Sequence, residues 1–136
     1  SKRRSLYFTT SRDDNDKFLS MFDAADIFAC YRRNQSVVPQ QALALANSKV
    51  SLQMARTITE RIHAEQPEIS DPEFIILAYE KILCVAPTPQ ESALCLGALA
   101  ETQSALKAKQ FKNPTQRSRE NLVHALLNHN DFITIR

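Results

Sequence analysis

Residues 70–106, SDPEFIILAYEKILCVAPTPQESALCLGALAETQSAL, read as two helices joined by a short stop. Ser70 or Asp71 supplies an N-cap, and Pro72 sits in the first turn, where its missing N–H is no loss. Glu73 beside them suits the positive end of a helix. Phe74, Ile75, Ala78, Tyr79, Ile82 and Leu83 then recur on one helical face. Pro87-Thr88-Pro89 ends that run, and Thr88 with Glu91 three residues on forms a capping box. Leu96, Leu99, Gln103 and Leu106 carry the stripe of the second helix. The expectation is an antiparallel helical hairpin around Pro-Thr-Pro.

Working upstream, Pro39 opens a helix that runs to about Glu65, closed by Pro67. Leu43, Ala46, Val50, Met54, Ile58 and Ile62 step by three and four along it, predicting a core-facing stripe. Asn47-Ser48 is a candidate point for a break or bend in it, because both side chains compete for backbone hydrogen bonds. Downstream, Lys107 to Pro114 is a polar connection, and Pro114 or Thr115 opens a last helix ended by Asp131. Leu122, Ala125, Leu126 and His129 mark its face, widened by Val123 and Leu127. Nearer the start, Asp14 or Asn15 caps a short helix through Phe18, Leu19, Met21 and Phe22. Leu6–Thr10 and Phe132–Ile135 read as short strands whose pairing would tie the termini together. The expected fold is all-α: one domain over 1–136, about five helices in an irregular or orthogonal bundle, with that terminal pair as an addition.

Composition agrees with helices. The chain has 136 residues and one glycine, Gly97, where glycine averages about 7%. So few glycines leave little material for φ > 0 turns or phosphate-cradling loops, which disfavours β-sandwiches and dinucleotide folds. A net charge of +2 points to no nucleic-acid partner, and the basic tail Ser1-Lys2-Arg3-Arg4 reads as a solvated end. No apolar run approaches the ~20 residues of a membrane span, and no secretory signal is present. A start at Ser1 is read as that of a piece of a longer protein. Cys30, Cys84 and Cys95 form no CxxC pair and no Cys/His ligand set, so neither a zinc site nor c-type haem attachment is expected. All three are expected as buried thiols.

The strongest polar constellation is in Phe22–Asn47, FDAADIFACYRRNQSVVPQQALALAN. Asp23, Asp26, Arg32 and Arg33 sit among Phe22, Ile27, Phe28 and Tyr31. One reading is an anion site, with arginines as bidentate donors held by the aspartates. The other is an ion-pair network that fixes the chain path into the long helix, since an unpaired buried arginine costs about 3–5 kcal/mol. The second is favoured, because nothing nearby supplies a nucleophile or metal. Gln40, Gln41 and Asn47 are secondary polar candidates, for sugar or peptide recognition or for capping. Cys30 fits a core thiol better than a nucleophile. His124 and His129 are five apart and point about 140° apart on a helix, so they share no metal. No catalytic residue, metal ligand or cofactor is assigned.

Several of these segments together resemble a known family. They are RRSLY (Arg3–Tyr7), FDAAD (Phe22–Asp26), CYRR (Cys30–Arg33), VPQQALALAN (Val38–Asn47), PTPQE (Pro87–Glu91) and ALLNHNDFITIR (Ala125–Arg136). The resemblance is to the uncharacterised C-terminal domain of large planctomycete proteins that often carry cytochrome-c-like haem domains near their N-termini. One departure is Ala25, where a proline often follows the FDA of that pattern. The resemblance implies bacterial export, to the periplasm or cell surface, and association with other domains of the same polypeptide. It implies no assigned activity, and without a Cys-x-x-Cys-His it implies no haem here. The functional expectation is therefore a non-catalytic structural or interaction module. The alternative is an Asp23/Asp26/Arg32/Arg33 site shared with an upstream catalytic or haem domain, and a carbohydrate or anionic ligand is a third candidate.

Overall fold

The computed structural model describes residues 38–133. Six helices are found among them: α1 Val38–Asn47, α2 Lys49–Glu65, α3 Asp71–Leu83, α4 Pro89–Ala108, α5 Pro114–Leu127 and α6 Asn130–Ile133. The fold is all-α, and no strand occurs among the described residues. The chain divides between Ala44 and Leu45, so most of α1 belongs to a first unit and the helices from α2 onward to a second. The expected Leu6–Thr10 strand and the Asp14–Phe22 helix lie outside the described residues.

The helix expected from Pro39 to Glu65 is two helices. Ser48 breaks it, taking an extended conformation (φ −74°, ψ 138°) and accepting a hydrogen bond on its hydroxyl from the Ser51 N–H at 2.9 Å. A serine oxygen here replaces a helical carbonyl as partner of that amide, so α2 starts afresh.

The core face of α2 also differs from the apolar stripe. Ser51, Ala55, Thr59 and Ile62 are buried, whereas Val50 and Met54 are 57% and 43% exposed. Leu43 and Ala46 of the same stripe are exposed as well, and Ile58 is half-buried against the core. The physical reason is packing distance. Small side chains let α2 approach α5 closely, and Thr59 makes its burial tolerable by donating its hydroxyl to the Ala55 carbonyl at 2.8 Å.

Capping placed α3 and α4 where the sequence does. Ser70 accepts from Glu73 N–H while the Glu73 carboxylate takes the Ser70 N–H and hydroxyl; Thr88 and Glu91 repeat the arrangement. Hydrogen bonds from Ser70, to the hydroxyl first and then the backbone, hold the Glu73 carboxyl below its ordinary value. Thr88 does the same for Glu91, through the backbone first.

The core of the second unit contains Ile62, Ile69, Phe74, Ile75, Ala78, Tyr79, Leu99, Val123, Leu126 and Leu127. Burying a side chain the size of Phe74 or Ile62 stabilises by about 1.5–3 kcal/mol each. α5 is the central element: it packs on α2, α3 and α4. α4 is peripheral, with Leu99 its one buried residue.

Three expectations are corrected. Cys84 is exposed, not a buried thiol, and Cys95 is half-buried; both are free. Cys84 is the C-cap of α3, where the chain turns away from the core and carries the side chain with it. Scarce glycine does not exclude left-handed backbone either, since Cys84 (φ 57°), Gln110 (φ 54°) and Asn113 (φ 54°) all adopt it. Finally, Phe132 and Ile133 belong to the short helix α6 rather than a strand. The His129 carbonyl and Nδ1 accept the N–H groups of Phe132 and Asp131, which curls the segment locally. No helix of the described residues is long and apolar enough to cross a membrane.

Candidate functional site

The polar feature that organises the second unit is built around Arg119. It projects from the second turn of α5 into the core and is 4% exposed. Its Nε and Nη2 donate to Asp71 Oδ1 at 2.9 and 2.6 Å, and Nη2 also donates to the Ile69 carbonyl at 2.9 Å. Gln103 of α4 donates its amide to the other oxygen, Asp71 Oδ2, at 3.0 Å. The guanidinium lies over the Phe74 ring, 4.9 Å from its centroid. One carboxylate in the first turn of α3 thus joins α3, α4, α5 and the loop before α3. Both oxygens are used, and the planar fork of arginine is the side chain that can serve one oxygen and a carbonyl together.

Beside this pair, between α2 and the start of α5, lies an open cavity of about 460 Å³. Thr59 and His63 line it from α2, and Asn113, Thr115, Gln116 and Arg119 from the α5 side. Asn113 precedes the helix in left-handed conformation without a side-chain cap. The Arg117 N–H closes on the Asn113 carbonyl at 3.1 Å.

On the neighbouring face, Glu120 is 9% exposed and accepts from Arg117 Nη1 at 2.8 Å and Gln116 Nε2 at 3.4 Å, with Arg56 Nε 3.7 Å away. Elsewhere, the Tyr79 hydroxyl meets Cys95 Sγ at 3.7 Å. Burial is the main cause that raises the Tyr79 phenol well above its ordinary range, followed by the contact with Cys95 and the Glu91 charge. Ser51 Oγ, His124 Nε2 and Asn128 Oδ1 are buried without a hydrogen-bond partner.

None of this completes a catalytic set among the described residues: no activated nucleophile stands beside a base. No group of three or more His, Cys, Asp and Glu is placed there to hold a metal ion.

The family described as PSD1, protein of unknown function (DUF1553), matches residues 1–99. The chain belongs to this family. No curated protein and no solved structure matches it. The DUF1553 match ends inside α4, at Leu99, whereas the fold does not divide there: α5, with Arg119, completes the core.

Of the residues singled out in the sequence, Asp23, Asp26, Arg32, Arg33 and Cys30 lie outside the described residues. Gln40 and Gln41 fall in the first turn of α1, and Asn47 is its last residue. The Arg119–Asp71 pair was not anticipated. Asp71 reads as a cap, and Arg119 belongs to the polar segment TQRSREN before the apolar face of α5. The available signal was Gln103, an amide within an otherwise apolar stripe, which needs a buried polar partner.

Proposed function

We propose that this DUF1553 chain is a non-catalytic interaction module that packs against another domain of the same, larger exported bacterial polypeptide. The single observation behind this reading is the exposed apolar side of α2. Val50 and Met54, four residues apart and so on one face of its first two turns, are 57% and 43% exposed. Large apolar side chains grouped on one short stretch mark a contact surface more often than isolated ones do. The planctomycete, haem-associated context and the exported location come from the resemblance of the motifs. In that context the covering partner is a domain of the same polypeptide, held close by covalent linkage so that a modest apolar surface suffices.

The test is to express the remaining part of a full-length parent protein separately and measure its association with this chain by analytical ultracentrifugation. Binding that is lost in Val50→Asp/Met54→Asp, with the helical content of the variant retained, supports the reading. Absence of binding, or binding indifferent to both aspartates, refutes it. The alternative, a site shared through Asp23, Asp26, Arg32 and Arg33, separates cleanly from this. In that case Arg33→Ala removes an activity of the full-length protein and leaves the melting temperature of this chain unchanged.

A further inference from the structure

We infer that the connection between α4 and α5 binds the surface of an anionic lipid bilayer. Phe111 enters the acyl boundary, and Lys107, Lys109 and Lys112 face the headgroup phosphates. Two separate features carry this. The first is charge segregation along the second unit. Residues 60–101 hold eight acids against Arg61 and Lys81, whereas residues 102–119 hold five cations and no acid. Of those five, Arg119 is paired with Asp71 and Arg117 with Glu120. The three lysines are exposed, and among the described residues no carboxylate pairs with any of them. The bond from Gln103 to Asp71 brings the second half of α4 beside the start of α3. The acids there are already engaged: Glu65 with Lys81, Asp71 with Arg119 and Glu73 with Ser70, which leaves Glu68.

The second feature is the ring among the lysines. Phe111 is 54% exposed, midway between the end of α4 at Ala108 and the start of α5 at Pro114. Its backbone is fixed. Gln110 turns left-handed (φ 54°) and donates its N–H to the Lys107 carbonyl at 3.0 Å, and the Phe111 N–H reaches the Leu106 carbonyl at 3.1 Å. These two bonds close the end of α4 and satisfy carbonyls that a helix terminus leaves free. Asn113 turns left-handed again into Pro114. An aromatic ring presented between lysines on a tied turn matches both layers of a membrane interface, the apolar boundary and the anionic phosphates.

The distribution of charge selects the bilayer among anionic partners. A nucleic acid extending from the lysines would run onto the acidic 60–101 part, and a net charge of +2 supplies little field to hold it. A bilayer need meet only this one connection, because its surface potential fades within a Debye length and acids farther away cost little. A flat surface also requires no recess to receive Phe111. One ring and three lysines give reversible surface binding rather than a permanent anchor.

The experiment is sedimentation of the 136-residue chain with vesicles of phosphatidylglycerol and phosphatidylcholine in equal parts, beside vesicles of phosphatidylcholine alone. Binding to the first that falls as salt is raised, with little binding to the second, is expected. Lys107→Gln/Lys109→Gln/Lys112→Gln should weaken it about a hundredfold, from about fivefold per lysine. Phe111→Ser should weaken it about tenfold. Both variants should keep their helical content, and both retain the basic tail Ser1-Lys2-Arg3-Arg4, so the comparison isolates the connection. The chain has no tryptophan, so Phe111→Trp places a single fluorophore between the lysines. Its emission should shift to the blue on binding and be quenched by brominated acyl chains. Binding undiminished in the triple lysine variant, or emission of the tryptophan variant unmoved by vesicles, would overturn the inference. So would displacement from the vesicles by a poly-glutamate peptide or an oligonucleotide that binds the chain more tightly. It is independent of the docking surface on Val50 and Met54.

Discussion

Replacing Arg119 by methionine is the sharpest perturbation of this fold, because it keeps side-chain bulk and deletes the polar junction alone. Three hydrogen bonds disappear: two to Asp71 Oδ1 and one to the Ile69 carbonyl. Hydrogen bonds to charged groups contribute about 1.5–3 kcal/mol, and an orphaned buried carbonyl costs about 1–3 kcal/mol. These are not additive in full, because the Asp71 side chain is 30% exposed and keeps Gln103 as donor. Water reaches that carboxylate and lowers the penalty of leaving it unpaired.

The expected loss is therefore about 3 kcal/mol, at the lower end of the roughly 3–5 kcal/mol for severing a buried pair. For a chain of this size that corresponds to a fall in Tm of about 10 °C. Urea unfolding followed by far-ultraviolet circular dichroism reads it directly. Arg119→Lys keeps the charge but not the fork, and should lose about half as much. In a double-mutant cycle with Asp71→Asn, a coupling of about 1–2 kcal/mol is expected. A loss under about 1 kcal/mol for Arg119→Met, or a coupling indistinguishable from zero, would refute the assignment of Arg119–Asp71 as the junction of the unit.

Other expectations concern backbone, pH and thiols. Cys84→Gly relieves a left-handed non-glycine residue at the end of α3, and Gly97→Ala adds a Cβ into open space within α4. Each should raise stability by about 0.5–1 kcal/mol in thermal or urea unfolding. Glu73 and Glu91 have folded pKa values lowered below 4.5, so their stabilisation is present above the unfolded value and lost as pH falls through the folded one. Glu73→Gln/Glu91→Gln should flatten the acid limb of Tm below about pH 4.5 and leave its neutral-to-alkaline shape alone. With Cys30→Ala as background, an alkylating reagent should modify exposed Cys84 well before half-buried Cys95. Equal rates would contradict the packing of Cys95 against Tyr79.

What the sequence revealed was local. Ser70 with Glu73 and Thr88 with Glu91 are three residues apart, and every atom of each capping box lies within one turn. The hairpin and the all-α class follow from such signals. The buried face of α2 was illegible because hydrophobicity is a poor guide where close approach matters. Ser51, Ala55 and Thr59 go inside for being small, and Val50 and Met54 remain outside. The Arg119–Asp71 pair was hidden for another reason. Its members are 48 positions apart, and each has an adequate local meaning, one as a polar helix residue and one as a cap. The left-handed turns at Cys84, Gln110 and Asn113 escaped notice because the argument from glycine addresses cost, and a packed fold tolerates that cost at single residues.

The central position of α5 has a consequence for the living cell. Synthesis delivers α2, α3 and α4 to the outside of the ribosome before the helix against which all three pack. Until α5 emerges, Phe74 and Ile75 lack part of their cover, and Asp71 lacks its arginine. The nascent unit is then a loose set of three helices with exposed apolar surface, a form that chaperones and proteases recognise. Folding of this unit waits for α5, so a chain cut short before Pro114 is fit for degradation rather than a smaller working domain.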